Sequence, residues 1–177
     1  MSGLSFNQYF IYQADYQHWA NQVLFECLDR LDASALMEPQ GLYFSSIHHT
    51  VDHILVVAEL WRMRLQGEHP ITDMMQIHHP DWRELKKTLQ IETRELQHWL
   101  ERQPDSFFDS EVSYRSMDGK ERRNWSRDIL THMMTHMAHH RGQVSGTATR
   151  LGAPAAEMDY IYYKRSVDSA LEQTRKV

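Results

Sequence analysis

The segment Ile129-Leu130-Thr131-His132-Met133-Met134-Thr135-His136-Met137-Ala138-His139-His140-Arg141-Gly142-Gln143-Val144, continued by Thr147 and Leu151, decides the fold. At about 100° per residue, Ile129, Met133, His136, His140, Val144, Thr147 and Leu151 fall in one stripe less than about 90° wide. Apart from Thr147 and the two histidines its members are apolar, so the stripe faces a core. Histidines four residues apart on a helix stack on one face about one turn apart. In that geometry two imidazoles can grip one metal ion. The competing reading is a pair of core histidines satisfied by hydrogen bonds, which is costly because each ring carries a donor and an acceptor. His132 and His139 lie about 90° or more from the centre of the stripe and read as boundary or surface residues. Of the two, His132 is the better placed to line a pocket.

Working outward, this helix starts near Asn124 or Ser126, either of which could cap it, and stops at Leu151 before Gly152 and Pro154. Before it, Phe107 to Arg123 alternates in character around Asp118-Gly119, which suits a small β-hairpin. A third helix runs from about Asp81 to Leu100 with Trp82, Leu85, Leu89, Leu96 and Leu100 inward, and Pro104 ends it. A second spans Ser45 or Ser46 to Gly67 on the stripe Ile47, Val51, Ile54, Ala58, Trp61 and Leu65. A first, Asn7 to Leu31, carries Tyr9, Tyr12, Tyr16, Trp19, Ala20, Val23, Cys27 and Leu31 at steps of three and four. A short C-terminal helix is expected from about Met158 to Leu171. Four long amphipathic helices predict an all-α four-helix bundle, one domain over residues 1–177, of the kind that builds metal sites from facing helices.

Composition agrees. Seven glycines and five prolines in 177 residues suit long helices and disfavour a turn-rich β-sandwich. A net charge of −5 argues against nucleic acid, because backbone phosphates demand clustered Lys and Arg. Lys120-Glu121-Arg122-Arg123 is interrupted by an acid and reads as a solvated turn. No apolar run is long enough to span a membrane, and Met1 to Gln8 lacks the pattern of a secretory leader. The single cysteine, Cys27, precludes an internal disulfide framework and reads as a buried structural thiol, so a cytoplasmic location is expected.

Two histidines do not complete a catalytic site; a third ligand must come from another helix. The second helix offers His48, His49 and His53. Its apolar side widens through Val57 and Leu60, and His53 lies with that widening. His49 is further around and His48 on the opposite shoulder, so periodicity favours His53 over His49. Asp52 lies well off the apolar side. Gly142 suits a close helix approach, and Arg141, off the stripe, reads as paired with an acid or a dimer partner, or as solvated.

The segments His53-Ile54-Leu55-Val56-Val57-Ala58-Glu59-Leu60-Trp61 and His132 to Gln143 resemble the DinB/YfiT-like family, with its second-helix motif ending in Trp and its H-x-x-N-H-x-x-x-H-R-G-Q fourth-helix motif. Tyr16-Gln17-His18-Trp19-Ala20-Asn21 is similar to the family's first-helix Y-x-x-W-A-N, and Leu151-Gly152 with Asp159-Tyr160 fits its close. The resemblance covers about residues 7 to 163. It implies an up-down-down-up four-helix bundle, often dimeric, with one divalent metal, mostly nickel or zinc, on His53, His136 and His140. Thr135 replaces the family's Asn, a departure that bears on a hydrogen bond around the site and not on the three histidines.

Three neutral imidazoles leave positions open for water or substrate. The resemblance implies a metal-dependent hydrolase, or a transferase or isomerase that acts on a low-molecular-weight thiol, with a small-molecule substrate. Glu59 and Asp128 could each supply a base. The alternative is a non-catalytic metal or small-ligand binding protein of a stress response.

Overall fold

The computed structural model describes residues 4–174, which leaves the first three residues of the leader reading outside the described part. The elements are α1 (Phe6–Leu28), α2 (Ala33–Met37), α3 (Ile47–Leu65), α4 (Trp82–Glu101), β1 (Glu111–Arg115), β2 (Glu121–Trp125), α5 (Ser126–Arg150) and α6 (Tyr160–Thr174). The expected hairpin is β1 and β2, antiparallel, with Glu111 opposite Trp125 and Arg115 opposite Glu121. The one-turn helix α2 was not expected. It sits in the interval that breaks the first helix from the second.

Side-chain pairs fix the direction of each long helix. Asn7, at the start of α1, donates to the carbonyls of Leu100 (3.1 Å) and Gln103 (2.9 Å) at the end of α4, while Asp29 meets Lys86 at the other end. The two helices are therefore antiparallel. His48 packs on Trp82 where α3 and α4 begin, and Arg62 meets Glu92 further along both, so α3 and α4 are parallel. His53 lies against His136 and Trp61 against His132, so α5 runs back along α3. Gln17 reaches the Met134 carbonyl (3.4 Å) and Cys27 the Ala153 carbonyl (2.7 Å), so α1 and α5 are parallel. The result is an up-down-down-up four-helix bundle in the cyclic order α1, α4, α3, α5.

That topology explains the longest connection. Because α3 and α4 point the same way, residues 66–81 must travel back along a helix of 19 residues, about 28 Å at 1.5 Å per residue. Gly67, at φ +85°, turns the chain out of α3 in a conformation that L side chains avoid. The crossing then covers the first half of α3.

The core holds most of the expected residues, including Ile47, Val51, Ile54, Ala58, Leu85, Leu89, Leu96, Leu100, Ile129, Met133 and Val144. Cys27 is buried, as expected. Leu151 is not in it: it caps α5 and is exposed. The face of α1 is also different from the expectation. Its buried line is Phe10, Ala14, Gln17, Asn21, Leu24 and Leu28, whereas Tyr9 is exposed and Tyr12 and Val23 are half-buried. The aromatic line is a second, shallower contact. Tyr16 packs against Tyr160 and Tyr163 of α6, and Trp19 against Tyr163.

Neither expected cap starts α5. Trp125 holds the N-cap position without a side-chain bond. Ser126 is already helical and donates to the Phe107 carbonyl, and Asn124 accepts from the Tyr114 hydroxyl at 2.8 Å. Ser46 does cap α3, accepting from the His49 amide at 3.1 Å. No helix among the described residues is long and apolar enough to cross a membrane.

Candidate metal centre

α5 and α3 present His53, His136 and His140 to one another across the bundle, and one ligand nitrogen from each lies within 4.8 Å of the others. Among the described residues this is the one such group. The Nε2 atoms of His53 and His136 are 3.2 Å apart. Two imidazole nitrogens on one tetrahedral ion, each at about 2.0–2.1 Å, stand about 3.3–3.4 Å from each other. His140 donates from Nδ1 to the Gln143 oxygen at 2.8 Å, which fixes its tautomer and leaves Nε2 as a bare lone pair. The donor set and its spacing therefore suit a divalent ion.

The rings are held mainly by packing. Phe44 stacks on His53 with centroids 3.8 Å apart and planes at 23°, and meets the edge of His140 at 5.7 Å. Phe44 owes that position to Ser45, whose φ of +68° turns the chain sharply into the cap of α3. His53 and His140 are 8% exposed and His136 is half-buried, so the rings are sheltered but reachable.

Burial sets their charge. Desolvation, then the neighbouring His140 and His49, pushes His53 down to about 4. The carboxylate of Asp52 and the Met74 backbone act in the opposite direction. Desolvation and then His140 and His53 push His136 down to about 3, and burial also lowers His140. All three are neutral near pH 7, the state in which imidazole binds metal.

The other candidates separate from this cluster. His48 is fully buried, but its Nε2 donates to the His79 carbonyl at 2.8 Å. His49 is half-buried beside Phe44. His139 is exposed, with its ring 4.9 Å from that of His140. His132 is exposed too, bridging from the His136 ring at 5.6 Å to Trp61 at 5.3 Å. As expected, it lines a pocket, a cleft of about 240 Å³ that it shares with Trp61, Tyr114, Asn124, Asp128 and Ile129. Thr135 turns its hydroxyl back to the carbonyls of Thr131 (2.9 Å) and His132 (3.1 Å), so it gives the site nothing.

Two readings of neighbouring residues are overturned, those of Arg141 and Gly142. Asp52 lies off the side that faces α5, as expected, yet it is fully buried, because the 66–81 crossing lies on it. Its carboxylate accepts from the backbone of His78 and His79 (both 2.9 Å) and from His79 Nδ1 (2.8 Å). Arg141 is neither solvated nor paired with an acid. It is 2% exposed and donates to Gln17 (2.8 Å) and Asn21 (3.1 Å), with the Tyr16 hydroxyl at 3.4 Å. Gly142 makes no close approach; a Cβ there would meet nothing within 4 Å.

The DinB family model matches residues 6–175. The solved structure of YfiT from Bacillus subtilis, described as a probable metal-dependent hydrolase with an unusual four-helix bundle topology, aligns with a TM-score of 0.66 at 16% identity. The alignment covers 86% of this chain and 92% of YfiT. At that identity the likeness speaks to the fold. No functionally curated protein matches the sequence. With a match running almost from end to end and the bundle topology shared with YfiT, the chain belongs to the DinB family.

Proposed function

We propose that this protein is a metal-dependent hydrolase of small molecules that holds one divalent ion, nickel or zinc, on His53, His136 and His140. The observation that carries the reading is the convergence of three neutral imidazole nitrogens within 4.8 Å on facing helices. The description of YfiT as a probable metal-dependent hydrolase supports it. A divalent ion on three imidazoles keeps open coordination positions and supplies Lewis-acid activation of water or of a substrate carbonyl. The remaining work falls to the chain. Gln143 orients His140, Phe44 clamps His53, and the cleft behind His132 takes the apolar part of the substrate against Trp61 and Tyr114. Of the two carboxylates considered as a base, Asp128 lines this cleft and Glu59 a different one.

Elemental analysis of protein purified without a nickel column, followed by zinc and nickel titration of the EDTA-stripped chain, tests the site. One ion per chain is expected, lost in His136→Ala and His140→Ala. A chain that stays metal-free with both ions refutes the site. Loaded protein is then screened against esters and amides, and in parallel against low-molecular-weight thiols with electrophilic acceptors. Turnover of the first set supports hydrolysis. Turnover of the second alone replaces it with thiol transfer, and tight binding without either leaves a metal-binding protein.

A further inference from the structure

The 66–81 crossing and the solvent side of α3 enclose a cleft of about 360 Å³ that the proposed metal centre does not use. Val56, Leu60, Met63 and Pro70 make its apolar walls, and Glu59, Thr72, His78 and His79 its polar ones. His78 Nε2 is taken up by the Asp73 carbonyl (2.7 Å) and the Thr72 hydroxyl (3.3 Å), which leaves Glu59 and His79 facing the cleft without a partner, among the described residues, for the carboxylate and for Nε2. No Lys or Arg lines it.

His79 donates Nδ1–H to the buried Asp52 carboxylate at 2.8 Å, so in the neutral ring Nε2 is an acceptor beside the Glu59 carboxylate. Its backbone is pinned as well, the N–H on Asp52 (2.9 Å) and the carbonyl under His48 Nε2 (2.8 Å). The ring is therefore fixed in place. Glu59 is half-buried, and its carboxylate has no hydrogen bond or ion pair among the described residues. The nearest guanidinium, Arg62, is already committed to Glu92 through bonds of 2.6 and 2.9 Å and reaches Glu95 at 3.6 Å. Burial, the largest influence, raises the Glu59 pKa against the pull of His79, Arg62 and His78.

A ligand that satisfies two acceptors lining one cleft donates at least two hydrogen bonds, and a cationic donor answers an unpaired carboxylate most strongly. Four apolar walls require a hydrocarbon body. An inorganic cation fits less well, since Glu59, His78, His79 and Asp52 do not bring three ligand atoms together as the three histidines do. We propose that this cleft binds the primary ammonium group of a small alkylamine, with the ammonium between Glu59 and His79 Nε2 and the chain along Val56, Leu60, Met63 and Pro70. The site stands whether or not an ion occupies the three histidines.

Butylammonium chloride titrated into EDTA-stripped, isotope-labelled protein, followed by amide and histidine resonances, tests this. Saturable shifts at Glu59, Thr72 and His79 are expected, with binding weakened about tenfold or more in Glu59→Gln, the loss of one charged hydrogen bond. Glu101→Gln, exposed and remote, should match the wild type. Glu59 supports no hydrogen-bond network, so Glu59→Gln should fold, and its spectrum away from the cleft verifies that. Butanol shifting the same resonances equally well would overturn the ammonium reading. So would unchanged affinity in Glu59→Gln, silence at all three positions, or magnesium producing the shifts in place of butylammonium.

Discussion

Holding two imidazoles neutral in a bundle makes the metal-free protein sensitive to mild acid, by an amount the structure sets. His53 and His136 have folded-state pKa values of about 4 and about 3, against about 6.5 in an unfolded chain. Below about pH 6.5 the unfolded chain takes up protons that the folded chain refuses. Stability is therefore full above that value and falls as pH drops toward 4 and 3. Between about pH 7.5 and pH 5 each ring loses about 2 kcal/mol, so the pair together loses about 2–4 kcal/mol when their mutual influence is allowed for. For a chain of this size that is a fall in Tm of roughly 4–16 °C. Glu59 and Glu92, whose pKa values burial raises, titrate with the opposite sign and offset part of the loss. A difference removes them. Thermal melts of EDTA-stripped wild type and His136→Gln at both pH values should show a smaller acid loss in the variant, by about 2 kcal/mol. Equal losses in the two proteins would refute the claim that His136 is held neutral by burial. The loaded wild type should lose still more, because protonation also competes with the ion.

Three further outcomes follow from single contacts. Gln143→Leu removes the acceptor that fixes the His140 tautomer and should weaken zinc binding about 10–100-fold with helical content unchanged, read by titration. Asp52→Asn leaves three N–H donors of the crossing with one carbonyl oxygen. It should cost about 1–3 kcal/mol in a denaturant melt and make residues 66–81 the first site of proteolytic nicking. Gly142→Ala, on an exposed helical position with open space around it, should stabilise by about 1 kcal/mol, and a destabilised variant would mean that Gly142 contacts something the isolated chain does not contain.

The site was more legible than the packing around it. His136 and His140 could be assigned to one face because four residues of helix return nearly to the same side, whatever the tertiary context. The lean toward His53 rested on the widened apolar side of its helix; His53 does lie against His136 of α5, but Leu60 of that same side lines the cleft under the 66–81 crossing. The burial of Asp52 was not legible because it depends on backbone N–H groups of His78 and His79, and backbone donors have no sequence signature. The face of α1 was misread for a related reason. Its buried line contains Gln17 and Asn21, which hydropathy sends to the surface, and what keeps them inside is Arg141, more than a hundred positions away. The aromatic residues that drew the reading instead lie where α6 supplies a second, partial cover.

That buried Arg141 gives the His140-Arg141-Gly142-Gln143 segment a physical logic. One step along a helix turns about 100°, so Arg141 points away from the metal side and into α1. There it finds the oxygens of Gln17 and Asn21 and the ring of Tyr16, all from the first-helix motif, and the Tyr16 hydroxyl donates on to the Met158 carbonyl. A guanidinium with its donors spread over fixed acceptors resists rotation of the helix that carries it, as a hydrocarbon in the same place would not. Three steps from His140 the chain has come back around, and Gln143 is in reach of the ring. The two motifs thus act as one bracket. α1 sets the rotation of α5 through Arg141, that rotation aims His136 and His140 at His53, and Gln143 holds the last ring with its free nitrogen inward. Gly142 is outside this bracket, and nothing in the structure explains it.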